Sequence, residues 1–361
     1  MVYLSDLKKV LVTGAGGIGG VNFVRALRAS PERFFIVGTD FNRFHLQFPD
    51  LDMRINSPRH SDPSFIDLII DLIRKNKIDF LHPQPSVEAE VISRERDSIM
   101  AKTFLPEERI IARDKLETHH MLNDKGIPVA ETRSSEDIDS AYDSLGGGKV
   151  WVRVKRGAGG MLSLLCNNAD DARHWIELWV RQGKATEDDF IMHEYLPGRN
   201  IAWDSIWHDG KLIASFSRER LEYPFKHIVP SGITGTPTVS KTVVDEEVNS
   251  IGERSIRALD PKPHGSYAID LKDDADGRPR VTEVDSGKFH TTTPLWGFIS
   301  AKLLKLEPSK NLPYLYILLG LGLSDPVIHG HDIYPEGLYL LRHIDCGAWL
   351  WKEDGSKTRV L

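Results

Sequence analysis

The sequence predicts an α/β fold that becomes α+β in its C-terminal half. Three observations carry this. Apolar runs and helical stretches alternate over roughly the first hundred residues, which implies a parallel, doubly wound sheet. Past residue 149 strands follow one another through glycine turns, and Asp209-Gly210 is a strong hairpin signal. At 361 residues the chain is too long for one simple core, so two or three domains are expected.

Composition narrows the function classes. With 40% hydrophobic and 27% charged residues the chain reads as an ordinary soluble globular protein. A net charge of -6 argues against nucleic acid as the main partner, because phosphate binding needs a basic surface. Cys166 and Cys346 have no metal-ligand or redox spacing and supply no disulfide framework. Residues 1–9 lack a secretory apolar run, and the late apolar run 314–323 is too short to span a bilayer. The expectation is a cytoplasmic protein without membrane contact.

Residues 8–20 read as a strand, a glycine-rich turn and a helix start, and 34–40 as a second buried strand ending in Asp40. Residues 62–77 have helical spacing and 78–82 form another strand. Gly14, Gly16 and Gly19 with Asp40 match a dinucleotide pattern, so an NAD(P)-dependent oxidoreductase or epimerase is one alternative. Such enzymes need a tyrosine and a lysine four residues apart for proton transfer, and no tyrosine here has that partner. A lone GxGxxG is weak, and the favoured reading is that these glycines permit strand–helix packing.

Asp114-Lys115 open a helix that ends at Gly126, where Pro128 forces an extended exit. Residues 149–165 read as a strand, a glycine loop and a strand. The loop places Arg153, Lys155 and Arg156 beside Gly157, Gly159 and Gly160. Backbone amides freed by glycine can cradle phosphate oxygens while the cations neutralise them. Residues 168–183 read as a helix with Trp175, Leu178 and Trp179 as its core stripe. Residues 190–196 are a strand running into a turn through Glu194, Tyr195 and Leu196. Trp203 and Trp207 alternate on a strand and read as core. Arg218 and Arg220 follow, then a polar glycine loop over 231–238 and a helix over 245–259.

Two strands, 267–271 and 281–288, close this half. Alternation puts Glu283 and Asp285 on one face, and Asp270 on the paired strand shares it. Three carboxylates repel one another. A divalent cation relieves that repulsion, and hard oxygen donors suit Mg²⁺. The turn over 273–277 resembles a calcium loop, but Lys272 holds its first ligand position and its flanks are strands, so an EF-hand is disfavoured.

In this order the parts resemble the ATP-grasp superfamily. They are closest to stand-alone ligases that look like half of a carbamoyl-phosphate synthetase large subunit. The resemblance covers about residues 8–295. It implies a Rossmann-like pre-ATP-grasp domain over 1–112 and a lid or small subdomain over 113–199. A C-terminal catalytic subdomain over 200–310 and an extension over 311–361 follow. The implied cofactors are ATP and Mg²⁺, with Mn²⁺ as an alternative ion. Lys115, Arg153, Lys155, Gly157, Gly159 and Gly160 fall at nucleotide positions, and Glu194, Tyr195 and Leu196 at the hinge that receives adenine. Arg218 or Arg220 falls where a phosphate-facing arginine is expected. Asp270, Glu283 and Asp285 match the Mg²⁺ carboxylates. The usual Glu-x-Asn-Pro-Arg ending is here Glu283-Val-Asp285-Ser-Gly-Lys288, with Lys288 as the cation one residue late.

The resemblance implies that a small-molecule carboxylate is activated as an acyl phosphate and coupled to an amine. The altered ending favours a non-catalytic ATP-binding regulatory module as a second alternative. His290 and Thr291 to Thr293 follow the acidic strand, either as substrate contacts or as a structural histidine and caps. The strand pair expected beyond 337 either covers a sheet edge or forms a homodimer interface.

Overall fold

The computed structural model describes residues 7–157, 159–344 and 347–361. Cys346, Ala158 and the first six residues lie outside the described residues.

The first sheet is parallel, in the order β3-β2-β1-β4. Its strands are β1 (Lys8–Thr13), β2 (Phe34–Asp40), β3 (Met53–Asn56) and β4 (Phe80–Pro83). Helices α1 (Ile18–Arg28), α2 (Ser64–Asn76) and α3 (Ser86–Arg94) connect or follow them. The glycine turn after β1 is filled by protein. A Cβ on Gly14 would lie 2.3 Å from Pro85, one on Gly16 2.6 Å from the His45 backbone, and one on Gly19 2.5 Å from the Gln84 side chain. Asp40 is buried and accepts from the Gly16 and Asn42 N–H groups. The glycines therefore serve close packing, and Asp40 braces the turn.

Helices α4 (Glu108–Ile111) and α5 (Lys115–Asp124) lead into a small antiparallel sheet ordered β5-β8-β6-β7. It contains β5 (Thr132–Ser134), β6 (Val150–Val154), β7 (Leu164–Cys166) and β8 (Phe190–Glu194). Helices α6 (Ile138–Ser144) and α7 (Ala169–Arg181) pack on it. Asp114 caps α5 and Asn168 caps α7 by accepting backbone N–H groups of the first turn. Trp175 and Trp179 of α7 meet edge to face, but Leu178 is exposed, and the buried stripe runs through Ala172 and Ile176 instead.

The third sheet has eight antiparallel strands in the order β13-β12-β9-β10-β11-β14-β15-β16. They are β9 (Asn200–His208), β10 (Lys211–Glu222), β11 (Val239–Val243), β12 (Gly265–Asp273), β13 (Pro279–Ser286), β14 (Leu338–His343), β15 (Gly347–Lys352) and β16 (Lys357–Arg359). Asp209 and Gly210 both take positive φ, 47° and 83°, as a two-residue turn matched to strand twist requires. The last three strands extend this sheet beside β11, covering what would otherwise be an edge. Between Asp273 and Gly277 there is an ordinary tight turn. Asp274 accepts from the Asp276 and Arg278 N–H groups and from the Arg280 guanidinium, so the calcium-loop geometry does not form.

Helix α8 (Glu246–Leu259) covers the Trp203–Trp207 side of the large sheet, where both tryptophans are fully buried. Helices α9 (Thr293–Lys302) and α10 (Leu312–Leu321) fill the space between the first and third sheets and share one core with them. Helix α10 is apolar all round, as a fully enclosed helix must be. Among the described residues no helix is long and apolar enough to cross a membrane.

Candidate functional site

A cavity of about 470 Å³ opens between the small sheet and one face of the large sheet. That face is set by register. Directly opposed residues of antiparallel strands point the same way. Asp270 stands opposite Glu283, and Ala268 opposite Asp285, so all three acids share the face that floors the cavity. Arg218 and Arg220, two apart on β10, join them.

The acids do not stand as a free repelling cluster, as the sequence alone suggests. Each is already neutralised by cations. Glu283 lies 3.1 Å from Lys115 Nζ and 3.1 Å from Arg153 Nη2. Asp270 lies 2.7 Å from Arg220 Nη2 and 3.4 Å from His290 Nε2. Asp285 lies 3.1 Å from Lys288 Nζ and 3.6 Å from His290 Nε2. Behind them the fully buried Asp204 pairs with the fully buried Arg218 and accepts from Thr293 Oγ1 at 2.7 Å.

Titration follows these pairs. Burial works against ionising Asp270 and Asp285. Arg220 and His290 outweigh it at the first, Lys288 and His290 at the second, and both carboxyls fall below the ordinary range. Burial likewise works against a charged His290, but Asp204 and Asp270 raise it to about 9. The imidazole is therefore a cation at neutral pH.

Six cations (Lys115, Arg153, Arg218, Arg220, Lys288 and His290) stand against four carboxylates (Asp204, Asp270, Glu283 and Asp285). The excess is two positive charges. Arg153 Nε and Arg218 Nε are buried donors without partners. Unspent cationic donors around a cavity suit an anionic, phosphate-bearing ligand. The acidic donor set also fits a hard cation. It offers only carboxylate oxygens of adjacent positions on one face, although among the described residues no three acidic or histidine side chains converge as a ready-made metal cage.

The glycine loop forms the roof. Gly157, Gly159 and Gly160 line the cavity, and Lys115 Nζ donates to the Gly157 carbonyl at 2.8 Å. Gly159 meets Gly235 of the second glycine loop so closely that a Cβ on Gly235 would lie 3.3 Å from the Gly159 Cα. Glu194, Tyr195 and Leu196 line the cavity where β8 ends. The Lys149 and Lys272 ammonium groups each lie 5.8 Å from the Tyr195 ring centroid.

Lys155 is the expected residue that the cavity does not collect. Strand β6 ends at Val154, and the Lys155 side chain is not among the lining groups. Its backbone contributes instead, donating to Asp189 O and accepting from Lys115 N–H. Sequence reasoning missed Asp204, Lys272 and the lining residues Ile233 and Thr236. Asp204 left one signal, an acid at an inner position of an apolar strand.

No family model matches the chain, and no curated protein matches it in sequence. Solved structures match it in fold. The biotin carboxylase domain of 2-oxoglutarate carboxylase from Hydrogenobacter thermophilus superposes with a TM-score of 0.70 at 15% identity, over 94% of this chain and 75% of that one. The ADP complex of N5-carboxyaminoimidazole synthetase from Staphylococcus aureus gives 0.68 at 14% identity, over 95% and 84%. The L-amino acid ligase from Bacillus licheniformis gives 0.64 at 11% identity, over 93% and 79%. These are ATP-grasp ligases, and the chain has the ATP-grasp fold, the mixed α/β class that the sequence predicts.

Proposed function

We propose that the protein is an ATP- and Mg²⁺-dependent ligase that joins a carboxylate to an amine. The observation that carries this is the excess of cationic donors, with a glycine loop above and three carboxylates below, in one cavity of an ATP-grasp fold. A magnesium-bound nucleoside triphosphate, with roughly two negative charges, matches that excess. The related folds are described with ADP, and the carboxylase domain also with magnesium and bicarbonate.

In this reading Lys115 and Arg153 exchange Glu283 for nucleotide phosphate oxygens, and the adenine lies against Glu194 to Leu196. Asp270, Glu283 and Asp285 would hold Mg²⁺, which when bound neutralises charge on the transferring phosphoryl group. Arg220, Lys288 and His290 face the reacting end. A substrate carboxylate oxygen attacks the γ-phosphorus, and the bond to the β-phosphate oxygen breaks to release ADP. The amine nitrogen then attacks the acyl carbon, phosphate leaves, and the nitrogen loses a proton. Positioning and charge neutralisation suffice for this chemistry, so no nucleophilic side chain is required. A roof carrying Gly157, Gly159 and Gly160 would exclude water from the acyl phosphate.

Pro85, His45 and Gln84 pack against the glycine turn after β1, which gives its glycines a packing role and disfavours the oxidoreductase alternative. The test is calorimetric titration with ATP, ADP and NADH, followed by an ADP-release screen over carboxylate and amine pairs. ATP binding and Mg²⁺-dependent ADP release with one pair are expected. NADH binding without ATP binding overturns the proposal.

A further inference from the structure

Two rows of the large sheet form a checkerboard beneath the cavity. One row, across β13, β12, β9 and β10, is Asp285, Ala268, Asp204 and Phe216. The next is Glu283, Asp270, Ala202 and Arg218. Ala268 is therefore a small residue bordered by Asp204, Asp270 and Asp285. His290 reaches those same three carboxylates, with Nδ1 3.2 Å from Asp204 Oδ1 and Nε2 3.4 and 3.6 Å from Asp270 and Asp285. The imidazole thus lies over Ala268, where a larger side chain would displace it.

Asp204 differs from the other two acids. It is 1% exposed and does not line the cavity. Arg218 and Thr293 fix it, one from β10 and one from the start of α9. Its contact with His290 Nδ1 lacks hydrogen-bond alignment and is an ion pair. The segment bearing His290 is pinned from the other side. Gln84 donates to Phe289 O at 2.7 Å, and Asn22 to Thr291 O at 2.9 Å. The backbone is held at both neighbours, and Asp204 is the carboxylate on the Nδ1 side of the ring, with Asp270 and Asp285 on the Nε2 side.

We propose that Asp204 is a positioning residue: it seats His290 over Ala268, and the seated ring sets the spacing of Asp270 and Asp285 for a divalent cation. Asp204 does this without touching nucleotide. The inference rests on the ligase reading of the cavity.

The test compares wild type with Ala268→Val and Asp204→Asn. Ala268→Val keeps every charge and the Asp204–Arg218 pair, so it decides the question even where Asp204→Asn does not fold. ADP affinity is measured by calorimetry with and without Mg²⁺. The expected result is that the Mg²⁺-dependent gain in affinity falls about tenfold or more in each variant, while metal-free affinity stays within about threefold. A preserved gain overturns the proposal, and so does an equal loss of metal-free affinity, which marks a merely structural role. Wild type that binds no ADP sinks the ligase reading instead. The His290 ring ¹⁵N–¹H signals then decide the seat: shifted signals in both folded variants support it, and unchanged signals overturn it.

Discussion

Arg153 Nη2 lies 3.1 Å from Glu283 Oε2, joining the small sheet to the large one in the wall of the cavity. The two residues sit on β6 and β13, and Lys115 Nζ completes the group at 3.1 Å from the other carboxylate oxygen. An incoming anion competes with Glu283 for both cations. In the proposed ligase reading, the latch between the sheets would also be where nucleotide phosphate binds.

The first prediction follows from the unspent donor of Arg153, whose Nε has no partner. A hydrogen bond between charged groups contributes about 1.5–3 kcal/mol. Arg153→Ala is expected to weaken ATP binding about 10- to 100-fold by calorimetry. Lys155→Ala, whose side chain lies away from the cavity, is expected to change it by less than about threefold. Equal effects of the two substitutions would contradict the placement of Arg153.

Glu283→Gln separates metal from phosphate. The substitution removes the anion that occupies Lys115 and Arg153, so metal-free ADP affinity should hold or increase. Mg²⁺-dependent ADP release should fall by about a hundredfold or more, because a neutral amide is a poor partner for a hard cation. Glu283 and its two cations are largely buried, so losing the shared anion is expected to lower the melting temperature while leaving the protein folded. Normal turnover in this variant would remove Glu283 from the metal set.

Much of this was legible from local chemistry. The Asp209-Gly210 turn, the caps of α5 and α7 and the shared face of Glu283 and Asp285 depend on residues close in sequence. What escaped depends on distant partners. Asp204 is tolerable in the core only because Arg218, His290 and Thr293 converge on it from other elements. Lys155 follows the alternation of Arg153, but β6 ends one residue earlier, so extrapolating its period fails there. The pairing of β14 with β11 was equally hidden, since strand partners far apart in sequence leave no periodic signal.

Glu88 gives the fold a pH dependence of its own. It is buried under the first glycine turn, and its Oε2 has no hydrogen-bond partner. Burial raises its pKa to about 7, and the Asp40 charge adds to that against the opposing pull of the Thr13 hydroxyl. The folded value exceeds the reference value of 4.5, so the stability contribution is full below that value and is lost as pH rises through about 7. The loss amounts to about 3 kcal/mol. Urea unfolding of wild type should show declining stability between pH 5 and pH 8, and Glu88→Gln should flatten the decline. An unchanged decline in the variant would assign it to other groups.

Gly16→Ala distinguishes packing from ligand binding in the first sheet. The added Cβ would lie 2.6 Å from the His45 backbone carbon, and a backbone atom cannot be relieved by a rotamer change. Overpacking of this kind costs about 1–3 kcal/mol. The Gly16 N–H that bonds Asp40 at 3.0 Å would be strained with it. The expected outcome is a lower urea midpoint with ADP affinity within about threefold of wild type, because the cavity proposed to bind nucleotide lies between the other two sheets. If the turn instead cradled a phosphate, the same methyl group would block it, and nucleotide affinity would collapse along with the unfolding midpoint.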